Sequence, residues 1–194
     1  MIRPTLVIFA RAPIIGKAKT RLAADIGIVH AKRLYCAMTS RIIRNVSDPR
    51  WNVVLAVTPA RYIGQVRGWD GQMQTGQVRG SLSARLAHMF ASRKGPMGVI
   101  GTDAPQVRAS DIARGFRFLR SNAAVFGPAD DGGFWFMAMR APVKPCVFDN
   151  VRWSSGHTLK DIQANIRGSV ARLRTLVDVD DGPALRRVRQ KYRF

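Results

Sequence analysis

The residues best placed to do chemistry are a group of cations behind the first apolar run and two aspartates far downstream. In "VIFARAPIIGKAKTRLAAD", residues 7–25, an apolar strand-like run ends at Phe9. Arg11, Pro13, Gly16, Lys17, Lys19 and Arg21 follow before a helical pattern begins. The first amides of a helix lack intrahelical partners, so with these side chains they form a pocket for an anion. Cations in a first helical turn oppose the helix dipole, and a bound phosphate offsets that penalty. The stretch is not a Walker A loop: Gly16-Lys17 is followed by Ala18, and position 11 is Arg.

The second stretch is "VIGTDAPQV", where Asp103 stands just past an apolar run. A lone carboxylate there suits Mg²⁺ or Mn²⁺, which take one or two carboxylates plus phosphate oxygens. The third is "FGPADDGGFWFMAMR", in which Asp130, Asp131, Gly132 and Gly133 join two strand-like runs. Asp-Gly is also an ordinary turn signal. Paired with Asp103, the stretch offers a second carboxylate at Asp131 and close backbone approach to a ligand at Gly132 and Gly133. "QTGQVRGSLSARL" places glycines, Gly76 among them, ahead of a helix, which suits base or phosphate contact. "VRWSSGHTL" offers Arg152, Trp153, Ser154 and His157 to an acceptor, although a core Trp and a first-turn His explain it equally well.

Alternating elements must carry these loops. Buried-strand patterns lie at Leu6–Phe9, Val53–Thr58, Met97–Gly101, Ala123–Gly127 and Phe134–Met139, with an outer strand expected over Val170–Val177. Residues 59–80 read as loops around a short strand near Met73. Apolar stripes at helical spacing run through Leu34–Val46, Leu82–Phe90, Ile112–Leu119, Leu159–Ile166 and Leu185–Tyr192. Asp180 or Asp181 is expected to cap the last helix, with Pro183 in its first turn, and "DVD" at Asp178–Asp180 reads as part of that cap rather than as a metal site. Strand–helix alternation gives a mainly parallel sheet covered on both faces, with ligands at the carboxyl ends of its strands. No repeat or composition break divides residues 1–194, which are expected to form one domain.

The totals narrow the function. Apolar residues at 46% exclude a disordered chain, and no apolar run is long enough for a membrane span or signal peptide, so a cytoplasmic protein is expected. Cys36 and Cys146 form neither a disulfide framework nor a metal-ligand spacing, and Cys36 is expected in buried packing. Lys and Arg number 32 against 12 Asp and Glu, giving a charge of +20 that attracts anions of any kind. The cations are scattered, with no run of five to eight, which argues against a nucleic-acid tail.

In this order, "FARAPIIGKAKTRL", "GTDAP", "GPADDGGFWF", "VRWSS" and "DVDD" resemble the bacterial glycosyltransferase-like family called radical-SAM/selenodomain-associated transferase 1. That family falls in the nucleotide-diphospho-sugar transferase superfamily, and its first motif is similar to that of 2-phospho-lactate guanylyltransferases. The resemblance implies a three-layer α/β/α sandwich of GT-A type, its sheet mostly parallel with one antiparallel strand at Phe134–Met139. It implies that Arg11, Ala12, Pro13, Gly16, Lys17, Arg21 and Gly76 bind a nucleotide. It also implies that Lys19, Asp103 and Asp131 serve catalysis, Asp103 and Asp131 on a Mg²⁺ or Mn²⁺ ion, and that Gly132, Gly133, Trp153 and Ser154 bind substrate. Where many members carry "GDLG", this chain has Gly80, Ser81, Leu82 and Ser83.

The expected function is metal-dependent transfer from a nucleotide-sugar or nucleoside triphosphate to a small-molecule acceptor. Such transfers depend on positioning and charge neutralisation more than on a covalent nucleophile, and no such nucleophile stands out by spacing. The alternatives are a non-catalytic protein holding a nucleotide or nucleic acid on the same scaffold, and a member without activity. Base, sugar, acceptor and oligomeric state stay open, and the aromatic run Phe134–Phe136 suits either a core or an interface.

Overall fold

A computed structural model describes residues 2–191. Its strands are β1 (Thr5–Arg11), β2 (Asn52–Thr58), β3 (Met73–Gly76), β4 (Gly95–Ile100), β5 (Ala124–Pro128), β6 (Phe134–Ala141) and β7 (Val170–Arg172). They form one sheet in the order β3-β2-β1-β4-β6-β5-β7. Only β6 runs against its neighbours, pairing antiparallel with both β4 and β5. The expected α/β sandwich with one reversed strand is therefore the observed one.

The helices are α1 (Thr20–Ile26), α2 (Ile28–Val46), α3 (Leu82–Ala91), α4 (Ala109–Phe118), α5 (Thr158–Ala164) and α6 (Gly182–Lys191). Side chains of a strand alternate between faces, so each strand feeds two cores. Leu6, Ile8 and Leu55 face Ile42 of α2 and Ile112 of α4, while Val7, Val99 and Met137 face Leu86 of α3 and Ile162 of α5. Each fully buried side chain of this size contributes roughly 1.5–3 kcal/mol. Trp135 and Phe136 are 3% and 0% exposed, so that part of the aromatic run belongs to the core and not to an interface. A third cluster, with Leu22, Met38, Leu185 and Val188, holds α1, α2 and α6 together.

Three local expectations are corrected. The outer strand stops at Arg172; beyond it the pairing is irregular, with Leu173 N donating to Phe126 O at 2.7 Å and Leu176 N to Pro128 O at 3.1 Å, where Leu176 bridges Ala129. The first helix begins at Thr20, so Lys17 and Lys19 precede it; Lys19 is its N-cap residue in the left-handed conformation, φ 53°. Cys36 is half-buried rather than buried. Of the two candidate caps for α6, Asp181 takes the role, its Oδ1 accepting from the Ala184 amide at 2.8 Å. Tyr192 lies outside the described residues. No helix among the described residues is long and apolar enough to cross a membrane.

Candidate active site

The parallel strands point their carboxyl ends to one edge, and β6 enters from that edge because it is reversed. There a cavity of about 610 Å³ collects Arg11 from the end of β1, Thr58 from the end of β2, Gln77 after β3, and Thr102 and Asp103 after β4. Lys17, Lys19 and Arg21 from the first loop and helix, with Arg85 of α3, complete a cationic wall. The loop is held in place from within. Arg11 donates from its side chain to Lys17 O at 3.0 Å, and Tyr35 of α2 exchanges hydrogen bonds with the Arg11 backbone at 2.7 and 3.0 Å.

Lys19 is the centre of the site. Its ammonium pairs with the Asp103 carboxylate and with Asp180 Oδ1 at 2.6 Å, and donates to Val179 O at 2.8 Å. Its side chain is 6% exposed. Burial pulls the ammonium's pKa down, but the Asp103 and Asp180 carboxylates outweigh burial and hold it above its ordinary value. Asp180 also accepts from Arg21. Burial pushes its carboxyl up, but Lys19 and Arg21 prevail and hold it below the usual range. A non-glycine residue in the left-handed region is costly, and Lys19 and Ser154 (φ 55°) both adopt it on the cavity wall.

Asp178 and Asp180 are the main correction to the motif reading, which gave them to a helix cap. After Leu176 the chain runs along the sheet edge, where Val179 N donates to Asp103 O at 2.8 Å, and this brings both carboxylates beside the end of β4. Asp178 Oδ1 is sealed from solvent and has no hydrogen-bond partner. Burial, then the charges of Asp103, Asp131 and Asp180, push the Asp178 carboxyl up to about 8, against the pull of Lys19. The sequence signal was the spacing of the two aspartates; what hid it was that a cap gives the same pattern.

A second cavity of about 320 Å³ adjoins the first and shares Asp103, Asp180 and Ser154 with it. It adds Asp131, Asp178, Gly133, Phe134 and Trp153. Trp153 donates from Nε1 to Ser83 Oγ at 2.8 Å and sets its ring edge-on to Phe134, centroids 6.5 Å apart. Ser83, one of the residues standing where "GDLG" is usual, thus positions an aromatic wall. Ser81 of the same stretch caps α3, accepting from the Ala84 amide at 3.2 Å. The loop bearing Trp153 is clasped by Asp161, which accepts from the Arg152 amide at 3.0 Å and from its guanidinium at 2.9 and 2.7 Å. That clasp holds the Asp161 carboxyl below its ordinary range.

Not every expected site residue reaches the two cavities. Ala12 is buried and donates from its amide to Thr58 O; Pro13 and Gly16 shape the turn but line neither cavity. A Cβ at Gly76 would meet Ala60 at 2.9 Å, so that glycine packs on its own connection. Gly132, at φ +88°, approaches the backbone of Gly156, where a Cβ would come within 2.5 Å. Its close approach joins two loops rather than backbone and ligand. Tyr35 and Thr58 line the basic cavity and carried no motif signal, while Gln77, Arg85 and Thr102 line it from inside stretches that the sequence singled out without naming them.

Among the described residues, no group of three or more His, Cys, Asp or Glu is arranged to hold an ion. Oxygen donors with one orphaned carboxylate oxygen at Asp178 instead fit a hard divalent ion completed by ligand phosphates.

A family model described as "Uncharacterized protein conserved in bacteria (DUF2064)" matches residues 42–155. No match was found among curated proteins. Among solved structures, the chain is similar to a protein from Desulfovibrio desulfuricans provisionally described as a nucleotide-diphospho-sugar transferase. They share 24% identity with a TM-score of 0.88, covering 100% of this chain and 89% of that one. It is also similar to CMP:2-keto-3-deoxy-manno-octonic acid synthetase complexed with CTP (13%, TM-score 0.63, 98% of each chain). A third is Rv0371c from Mycobacterium tuberculosis in complex with manganese (18%, TM-score 0.56, 96% of this chain and 98% of that one). These likenesses show the nucleotide-diphospho-sugar transferase fold, in agreement with the motif resemblance.

Proposed function

Because the chain belongs to that bacterial family, whose description names no activity, we propose from its own geometry that it is a transferase using a nucleotide donor. A nucleoside triphosphate and a nucleotide-sugar both fit the reading. The observation that carries it is the Lys19 ammonium on Asp103 and Asp180, at the seam between a cation-lined cavity and a carboxylate-lined one.

Arg11, Lys17, Arg21 and Arg85 bind the donor's phosphates, and Lys19 neutralises charge that builds on the leaving phosphate. The second substrate lies against Trp153, Ser154 and Asp131. Its reacting oxygen or nitrogen forms a bond to the transferred group. The bond from that group to the leaving phosphate breaks, and the electron pair stays on phosphate oxygen. The proton released passes to Asp131. Asp103 and Asp178 would hold a Mg²⁺ or Mn²⁺ ion, with Asp131 adding to the same field, and the ion would supply further charge neutralisation at the phosphates. The residues 1–194 act as one domain.

The test is a thermal-shift screen of nucleoside triphosphates and nucleotide-sugars, with and without Mn²⁺. A ligand at a hundred times its Kd stabilises by about 2.7 kcal/mol. At least one nucleotide should raise the melting temperature, and by more with Mn²⁺. A screen in which none does so overturns the reading.

A further inference from the structure

The two adjoining cavities form a cleft at the carboxyl ends of the parallel strands. The amino ends of the same strands form the opposite edge of the sheet, and a separate cavity of about 510 Å³ opens there. Four arginines line it: Arg3 ahead of β1, Arg50 ahead of β2, Arg120 after α4 and Arg140 near the end of β6. Its lining contains no Asp or Glu. The reversed strand brings the last of these in, because β6 runs against β4 and sets Arg140 opposite Pro96, where β4 begins. β4 has six residues, so at about 3.3 Å per residue this cavity lies roughly 20 Å from the cleft.

A concave wall of one sign concentrates its field. Two of its guanidiniums are already fixed. Arg50 lies over the Trp51 ring, 5.0 Å from the centroid, and makes a two-pronged pair with Asp48 at 2.7 and 2.8 Å. Arg3 donates to Pro49 O and Trp51 O. Side chains held before a ligand arrives lose less freedom when it binds. Asp48 answers the charge of Arg50 alone. The Arg120 and Arg140 guanidiniums are exposed and have no partner among the described residues. Like charges around one cavity repel, and a bound anion relieves that repulsion.

The rest of the lining is apolar, with Ile2, Pro4, Pro96, Phe116 and Leu119. Ile2 is 61% exposed, so this apolar surface is open to a ligand. Phe116 is 9% exposed, which leaves no aromatic face for a nucleic-acid base to stack on. The volume is that of a small-molecule site.

We propose that this cavity binds a phosphate monoester whose organic part is apolar. Such a phosphate carries about −1.5 to −2 charges at pH 7, closer than a singly charged carboxylate to balancing Arg3, Arg120 and Arg140. A guanidinium presents its donors in a planar fork that matches two phosphate oxygens. The organic part lies on Ile2, Pro4 and Pro96. The lining holds no nucleophile and no general base, so the ligand is bound there and not turned over. A soluble ester and the headgroup of phosphatidic acid share this chemistry. The site does not depend on the transferase reading, because it shares no residue with either cavity of the cleft.

Calorimetry with 1-naphthyl phosphate tests the proposal, beside inorganic phosphate and 1-naphthol, which each carry half of its chemistry. The ester should bind at least about tenfold more tightly than either half. Arg120→Ala/Arg140→Ala should weaken the ester by about tenfold or more, and at exposed positions it should leave the melting temperature nearly unchanged. Lys17→Ala/Arg85→Ala, on the wall of the cleft, should keep the ester's affinity within about twofold. Inorganic phosphate binding as tightly as the ester would mark a plain cationic surface and overturn the proposal. No binding of the ester, or a loss confined to the cleft variant, overturns it as well. Flotation with phosphatidylcholine vesicles containing phosphatidic acid separates the two sources. Capture that Arg120→Ala/Arg140→Ala abolishes supports the lipid, and capture that it leaves unchanged supports the soluble ester. A nucleotide screen without a hit, with the ester still bound, sinks the transferase and not this site; the opposite result sinks this site alone.

Discussion

At the scale of single residues, Lys19 and Asp103 form one unit. Each is the other's counter-ion, and both face the basic cavity. Lys19→Ala removes a buried cation from the phosphate site and leaves Asp103 without its partner. Asp103→Ala leaves a buried ammonium with Asp180 as its one carboxylate and Val179 O as its other acceptor. Each should weaken Mg²⁺-nucleotide binding by about tenfold or more, the equivalent of about 1.4 kcal/mol, in calorimetry. Unchanged affinity in both would remove them from the site. Asp178 makes a different prediction. Its carboxyl titrates at about 8 in the folded chain against an ordinary value of 3.8, so the folded state holds the proton more tightly. This contribution to stability is complete below pH 3.8, falls as pH rises from there, and is gone above about 8. Asp178→Asn should flatten that slope and raise the melting temperature at pH 8 but not at pH 3.5. Equal slopes in both proteins would show that the group is not buried among charges.

At the scale of elements, the site depends on loops that hold one another. The turn at residues 129–133 and the loop at 151–158 meet where Gly132 lies on Gly156, and Leu159 N donates to Gly132 O at 3.1 Å. A methyl group at Gly132 has both a strained φ and no room. Gly132→Ala should destabilise by about 1–3 kcal/mol in denaturant unfolding and move Asp131 and Trp153 apart. A stability loss under a few tenths of a kcal/mol would mean that the two loops do not pack. The strands that support these loops were legible in the sequence because five apolar runs are each of strand length and lie between stretches of helical spacing, which favours burial as strands. Val170–Val177 alternates like an outer strand but ends early. Alternation records which residues face inward and cannot say where regular pairing stops, and here the ladder with β5 breaks up after Arg172 and is left behind at Leu176, from where the chain carries Asp178 and Asp180 to the cleft.

At the scale of the molecule, a charge of +20 raises the question of nucleic acid. Contacts to many phosphates release many counter-ions, and such binding falls by roughly 10³–10⁵ between 50 and 200 mM salt. A mononucleotide held in the cavity contacts few phosphates. Its affinity should fall far less over that range in fluorescence titrations. A slope as steep as that of nucleic acid would favour the binding-protein alternative and displace the transferase.

The sequence alone determined the sheet, its reversed strand by family resemblance, and the pairing of a cationic first loop with Asp103. Those features rest on local periodicity and on residue types that have few uses at a strand end. Only the tertiary structure decided that Asp180 reaches Lys19, that Asp178 is buried near Asp103, that Ser83 holds Trp153, and that a cation-lined cavity adjoins one lined by carboxylates and apolar side chains. Lys19 and Asp180 are 161 positions apart. Contacts at that separation are set by how whole elements pack, and packing leaves no period in a chain from which it could be read.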